Sequence, residues 1–425
     1  MVRPRVVIVL RTTDDVLRWA GRLVDPPLRT AIGRLPEPSR EVAELQLGWH
    51  LGDDVPAASL RSALTLVCAD AVGGDPHDAV PGAVAVELMH HWSAIRRDLV
   101  DERADGTAWS VLGPEPASLG GEALLALAFD VIATGDPTHH APARPRQRSG
   151  QAGPDRAMLR VLGDTVQELL HGQHASLALR DSRTSRASSQ VASRDAQASS
   201  GVASRGPQAS SGVASRDGQA SSGVASRDAQ ASSEVASRDA QASSGVTARG
   251  ARASSGVTAR DGRGEVVGEE RTDLLRDCLA MVEQRTGALF GCACALGAVA
   301  GGGDAAQVER LRLFGVRLGL AVQFIEDLGS LGSDLRRRRR SLPVAAAIAA
   351  GADELADLFD TRTRIGDADV ERAAKTIEQS GARDWCRRQA EELLSQALLA
   401  LDLASPPAAV AELVSLARRA TATPR

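Results

Sequence analysis

Between Ala187 and Arg263 the chain repeats one eleven-residue unit seven times, in versions such as ASSGVASRDAQ, ASSEVASRDAQ and ASSGVTARDGR. An eleven-residue apolar period can drive a right-handed supercoil, but only with several buried positions per repeat. Here valine is the one sizeable apolar residue in each unit. Serine, glycine and alanine bury too little surface to offset the entropy of ordering the chain. The composition therefore predicts a disordered insert over 181–270. Any core must be assembled from the two blocks it separates, 1–180 and 271–425.

Both blocks read as helix. DDVLRWAGRLV starts on an aspartate cap and carries apolar residues at helical spacing. In AMLRVLGDTVQELLHGQHASLAL the apolar positions Met158, Leu159, Leu162, Val166, Leu169 and Leu170 follow a period close to 3.6. PGAVAVELMHHWSAIRRDLVDE, GEALLALAFDVIA and TDLLRDCLAMVEQRTGALFGCACALGAVA are long runs of good helix formers. No stretch sustains a two-residue alternation, so strands are not needed. The predicted fold is all-α: a single antiparallel helical bundle whose N-terminal half is 1–180 and whose C-terminal half is 271–425, with the repeat lying in a helix–helix connection.

Several function classes are disfavoured. The formal charge is −4, aromatics make up 2% and tyrosine is absent, so neither a basic footprint nor a stacking platform for nucleic acid is present. The five cysteines are odd in number and mostly sit in apolar runs, which suits a reduced, cytoplasmic protein. Cys292 and Cys294 have no zinc spacing and read as small core residues. The apolar runs near the N-terminus and after Gly287 are too short or too glycine-rich to span a membrane, so no transmembrane segment is expected.

Two acidic clusters carry the candidate chemistry. In HHWSAIRRDLVDE, Asp98 and Asp101 lie one helical turn apart and follow Arg96 and Arg97. In AVQFIEDLGSLGSDLRRRRRSLP, Glu326 and Asp327 end an apolar helix, and Arg336 to Arg340 follow. Paired carboxylates suit Mg²⁺, which takes one or two of them together with waters and phosphate oxygens. Guanidinium groups beside them suit a diphosphate. A helix turns about 100° per residue, so only part of the arginine run can face one site. The pairs His90/His91 and His171/His174 lack a third metal ligand and read as structural or surface histidines. Gly301 to Gly303 reads as a helix break, because no Gly-Lys-Ser/Thr follows it.

These segments, together with ALTLVCADAVGGD, ELLHGQHASLAL and SDLRRRRRSLPVAAAIAAG, resemble the trans-isoprenyl diphosphate synthases, the polyprenyl synthetase family. The resemblance covers about 45–180 and 271–400 and implies the isoprenoid synthase type of helical bundle. It also implies two aspartate-rich motifs holding Mg²⁺ on an allylic prenyl diphosphate, whose ionised form is attacked by isopentenyl diphosphate. In this chain the first motif falls on Arg97, Asp98 and Asp101, so its leading aspartate is an arginine. The second falls on Glu326, Asp327 and Ser330. The element that grips isopentenyl diphosphate keeps Arg61 but has Ala58 in place of lysine. The Arg-Arg-Gly stretch after the first motif is shortened to ERADG. The Lys-Thr pair becomes Arg285 and Thr286, and Gln173 survives where Ser176 replaces aspartate.

What the resemblance implies is thus catalytic and metal roles for Asp98, Asp101, Glu326 and Asp327, with Mg²⁺ as cofactor. Phosphate contacts fall to Arg61, Arg97, Gln173, Arg285, Thr286, Arg336 and Arg337. The apolar scaffold is intact while the polar contacts are altered, so elongation is expected to be impaired. The arginine in the metal site either repels a cation or holds phosphate oxygens itself. The alternative expectation is a catalytically inactive homologue acting as a regulatory or stabilising subunit of an active synthase. Either way, a homodimer or a heterodimer with an active synthase is expected.

Overall fold

The computed structural model describes residues 11–51, 59–101, 107–135, 153–202, 262–360, 365–401 and 406–422. Among them there is helix and no strand. In chain order the α-helices are α1 (Thr13–Gly33), α2 (Glu37–Leu47), α3 (Leu60–Ala71), α4 (Val80–Val100), α5 (Ala108–Leu112), α6 (Pro114–Thr134), α7 (Pro154–Val202) and α8 (Gly262–Val282). There follow α9 (Ala288–Ala300), α10 (Ala305–Arg336), α11 (Leu342–Ala349), α12 (Asp353–Asp360), α13 (Asp367–Gln379), α14 (Ala382–Leu399) and α15 (Pro407–Ala420). The chain divides into two compact units, Met1–Ala187 with Glu270–Arg425, and Ser188–Glu269. The described residues of the second unit, 188–202 and 262–269, are helical. Most of the repeat, 203–261, lies outside the described residues.

Two long helices of the first unit start on reciprocal caps. Thr12 and Asp15 form a reciprocal capping box at α1, and Asp304 with Gln307 does the same at α10. Along α1, Val16, Ala20, Val24, Leu28, Ala31 and Ile32 are buried at helical spacing. Its entry is tied to the far end of the chain: both Glu412 carboxylate oxygens accept from Arg11 at 2.7 Å, and the guanidinium lies 4.0 Å from the Trp19 ring.

The centre of the bundle is α9, buried from Ala288 to Ala298. Small residues explain how it packs. A Cβ on Gly297 would lie 2.0 Å from the Thr65 carbonyl oxygen of α3, and one on Gly315 of α10 would lie 2.3 Å from the Phe290 carbonyl oxygen. Only glycine allows these backbones to approach so closely. The five cysteines are free and buried, as their apolar neighbours suggested. The break at Gly301–Gly303 is also present: Gly301 caps α9 and Gly302 adopts φ +79°.

By length and composition α6 is apolar enough to cross a membrane. Its buried residues, among them Gly121, Leu124, Ala128 and Val131, belong to the core, and it packs against α4 and α2. Its Leu119 is 69% exposed, and Val111 on the preceding α5 is 64% exposed.

Candidate active site

The last turn of α4 separates the two aspartates of the first acidic cluster. Asp98 is buried, with the Arg97 Nε 3.9 Å from its Oδ1. Asp101 caps the helix and is exposed, its backbone N–H donating to the Arg97 carbonyl at 2.8 Å. One helical turn below, Trp92 and Ile95 are buried, each within 4 Å of where a Cβ on Gly121 of α6 would stand.

On α10 the second cluster divides in the same way. Glu326 is exposed at its surface, yet loss of hydration, and then the neighbouring Asp327, push its carboxyl above the ordinary range. Asp327 is 2% exposed and both its oxygens are occupied. Oδ1 accepts from the Gln323 amide at 2.7 Å, and Oδ2 accepts from the Leu342 backbone N–H at 2.9 Å. The second of these bonds satisfies a first-turn donor of α11, so Asp327 serves as a helix cap from a distance. Gln323 is fixed in turn by the Thr286 hydroxyl, which donates to its Oε1 at 2.7 Å. Burial pushes the Asp327 carboxyl up, against the pull of Arg339.

Of the five consecutive arginines, Arg339 faces the acids. After α10 ends, Arg338 takes the left-handed conformation (φ 53°), which turns the chain back. The Arg339 guanidinium lies 3.5 Å from Asp334 Oδ1, while the Ser330 hydroxyl donates to Asp334 Oδ2 at 2.8 Å. Burial works against the Arg339 charge, but Asp327, Asp334, Asp101 and Glu326 override it and hold the group above its ordinary value. Asp101 comes from the first half of the chain, so charges from both sides of the repeat act on one guanidinium. Arg336, expected from the sequence to touch phosphate, instead pairs with Asp367 at 3.0 Å on the surface. Arg337 is the exposed C-cap of α10, and Arg338 donates to the Leu358 carbonyl at 3.2 Å. Sequence reading expected only part of the Arg336 to Arg340 run to face one site; the positive φ at Arg338 bears on which side chain turns inward.

The remaining candidates surround this site. Arg285 sits on a π-helical turn, Glu283–Gly287, between α8 and α9, a form that often marks functional positions. It donates to the Ser176 hydroxyl of α7 at 3.0 Å and lies 3.9 Å from the Met281 sulfur. Burial, and then Arg97, pull its pKa down to about 10, with Asp101 and Asp327 acting the other way. Gln173 is buried and its Oε1 accepts from Arg96 at 3.1 Å, while Arg96 also pairs with Glu122 at 2.9 Å.

Arg61 is 3.6 Å from Glu87, a fully buried carboxylate on α4. Glu87 Oε1 also accepts from the backbone N–H and hydroxyl groups of Ser59 and Ser62. Burial alone would raise the Glu87 pKa; Arg61, Ser59, Ser62 and His91 together lower it. His90 and His91 stand edge-to-face at 5.1 Å, and burial holds both in the neutral form, His91 with its pKa lowered to about 4. His171 and His174 are exposed on α7. Ala58 and the segment 102–106 lie outside the described residues.

The donor set does not fit a cluster of divalent metal ions. Each Asp327 oxygen accepts a hydrogen bond, Asp334 is engaged by Ser330 and Arg339, and Arg97 lies 3.9 Å from Asp98, which leaves Asp101 and Glu326 as the exposed carboxylates. Among the described residues, no group of three or more His, Cys, Asp or Glu side chains is arranged to hold a metal.

Comparison with known proteins agrees with this architecture. Residues 261–379 match the polyprenyl synthetase family. Over 436 aligned residues the chain is 27% identical to the (2E,6E)-farnesyl diphosphate synthase of Mycobacterium tuberculosis, covering 96% of this chain and 92% of that protein. It is 27% identical to the geranylgeranyl diphosphate synthase of the same species, covering 88% and 85%. The crystal structure of a polyprenyl synthetase from Streptomyces coelicolor superposes with a TM-score of 0.67 at 26% identity, covering 96% of this chain and all of that one. Residues 261–379 thus resemble the polyprenyl synthetase family, and the all-α fold of the chain is that of its solved relatives.

Proposed function

We propose that this protein binds an allylic prenyl diphosphate in isoprenoid biosynthesis as a prenyltransferase whose chain elongation is impaired. The observation that carries the reading is electrostatic: Asp101 from α4 and Glu326 and Asp327 from α10, on opposite sides of the repeat, all act on Arg339, and Arg97 and Arg61 act on Glu326. Such a set of guanidinium groups can hold phosphate oxygens in bidentate fashion. The losses fall on the groups that would stabilise charge as the diphosphate leaves, so binding is retained better than turnover.

The test is incubation of purified protein with labelled geranyl or farnesyl diphosphate, with and without isopentenyl diphosphate and Mg²⁺. The expected result is saturable binding, with elongation roughly a hundredfold or more below that of a synthase with both full motifs. Full elongation activity, or no binding of either allylic diphosphate, counts against the proposal.

The exposed Val111 and Leu119 support a second reading, in which the chain pairs with an active synthase as a regulatory or stabilising subunit. That reading predicts that product appears, or rises, only when a full-motif synthase is mixed in.

A further inference from the structure

We propose that this chain holds an allylic diphosphate without divalent metal: Arg339 neutralises the carboxylates, and Arg285 and Arg97 take the anion. The inference rests on the diphosphate-binding reading above and specifies what does the binding. Arg285 is the most telling residue. Its contacts are neutral, the Ser176 hydroxyl and the Met281 sulfur, and among the described residues no carboxylate forms an ion pair with it. A half-buried guanidinium whose direct contacts are neutral gains from an anion that completes its shell.

Arg97 belongs to the same region: its neighbour Arg96 donates to Gln173 and Arg285 donates to Ser176, one turn apart on α7, and the Arg97 charge disfavours that of Arg285, which an anion would relieve. Arg97 stands where the resemblance calls for an aspartate, so that single position makes the site more positive by two charges. Of the carboxylates that remain, Asp98 lies 3.9 Å from Arg97 and offsets part of this gain. Arg339 is set against Asp327, Asp334, Asp101 and Glu326. Asp327 also caps α11 through Leu342. Asp98 is buried beside Arg97. A guanidinium supplies two parallel N–H donors to a phosphate, and it does so without the coordination geometry that Mg²⁺ demands.

The experiment is calorimetric titration of the full chain with geranyl and farnesyl diphosphate, once in EDTA and once in excess Mg²⁺. The expected affinities agree within about threefold, because guanidinium donors need no ion to bridge them to phosphate. Arg285→Gln is expected to weaken binding roughly tenfold or more in both buffers, the effect of losing a charge-assisted hydrogen bond. Arg97→Asp, with its helical circular dichroism unchanged, is expected to make the remaining binding depend on Mg²⁺. Binding seen only with Mg²⁺ in the parent chain overturns the inference and leaves the diphosphate-binding reading standing. Unchanged affinity in Arg285→Gln also overturns it. No binding in either buffer overturns both.

Discussion

Asp327→Ala is expected to lower folding stability by about 3 kcal/mol, whereas Asp101→Ala changes it by about 1 kcal/mol or less. The two residues look equivalent in the motif pattern, yet their surroundings differ. Asp327 is 2% exposed, accepts from Gln323 and from the Leu342 backbone, and is the strongest carboxylate influence on Arg339. Removing it leaves a first-turn N–H of α11 and a side-chain amide without acceptors, and it reduces the charge balance of a partly buried guanidinium. Asp101, at the exposed end of α4, has water to replace what it loses. Asp327→Asn keeps one carbonyl acceptor and should fall between the two. Urea denaturation of the three variants reads the order directly. Equal, small effects at both positions would show that Asp327 has no structural role.

A second large effect is expected at Glu87. Replacing it with alanine should cost about 3–5 kcal/mol, the range for removing one member of a buried ion pair. Glu87 gathers the hydroxyl and backbone N–H groups of Ser59 and Ser62 onto one oxygen and lies beside the Arg61 guanidinium. Without it those donors and the arginine are left in the seam between α3 and α4. Glu87→Gln retains an acceptor and should lose roughly half as much. The second consequence is at the site, because Glu87 sets where Arg61 stands. Weaker binding of geranyl diphosphate by Glu87→Gln, at a temperature where it is fully folded, would separate this positioning effect from simple destabilisation. If Glu87→Ala melts within a degree or two of the parent chain, the network has no structural weight.

The helices were legible because their apolar residues recur at helical spacing and because capping residues precede them. Val16, Ala20 and Val24 on α1 illustrate the first; for the second, the cap of α1 is Thr12 rather than the expected aspartate, with Asp15 completing its capping box. The helix break at Gly301–Gly303 was legible for the same local reason. The site was legible only in outline. Asp98, Asp101, Glu326 and Asp327 stand out as carboxylates near helix ends, but motif spacing cannot say which oxygen a distant backbone N–H will claim. Asp327 is bound to Leu342, fifteen residues further along the chain. Arg339 was hidden among five identical side chains until the left-handed Arg338 oriented the turn. Glu87 carries no motif signal, since its partners come from α3 and its own helix is apolar around it.

The claim beneath all of these expectations is that both halves of the chain set their charges against one another in one site. The most direct test is a double-mutant cycle of Asp101→Asn and Arg339→Gln, read from unfolding free energies. The account predicts that the effects fail to add by at least about 0.5 kcal/mol, as they do for residues that act on each other. Effects that add within error would place Asp101 and Arg339 out of each other's reach and contradict the shared site.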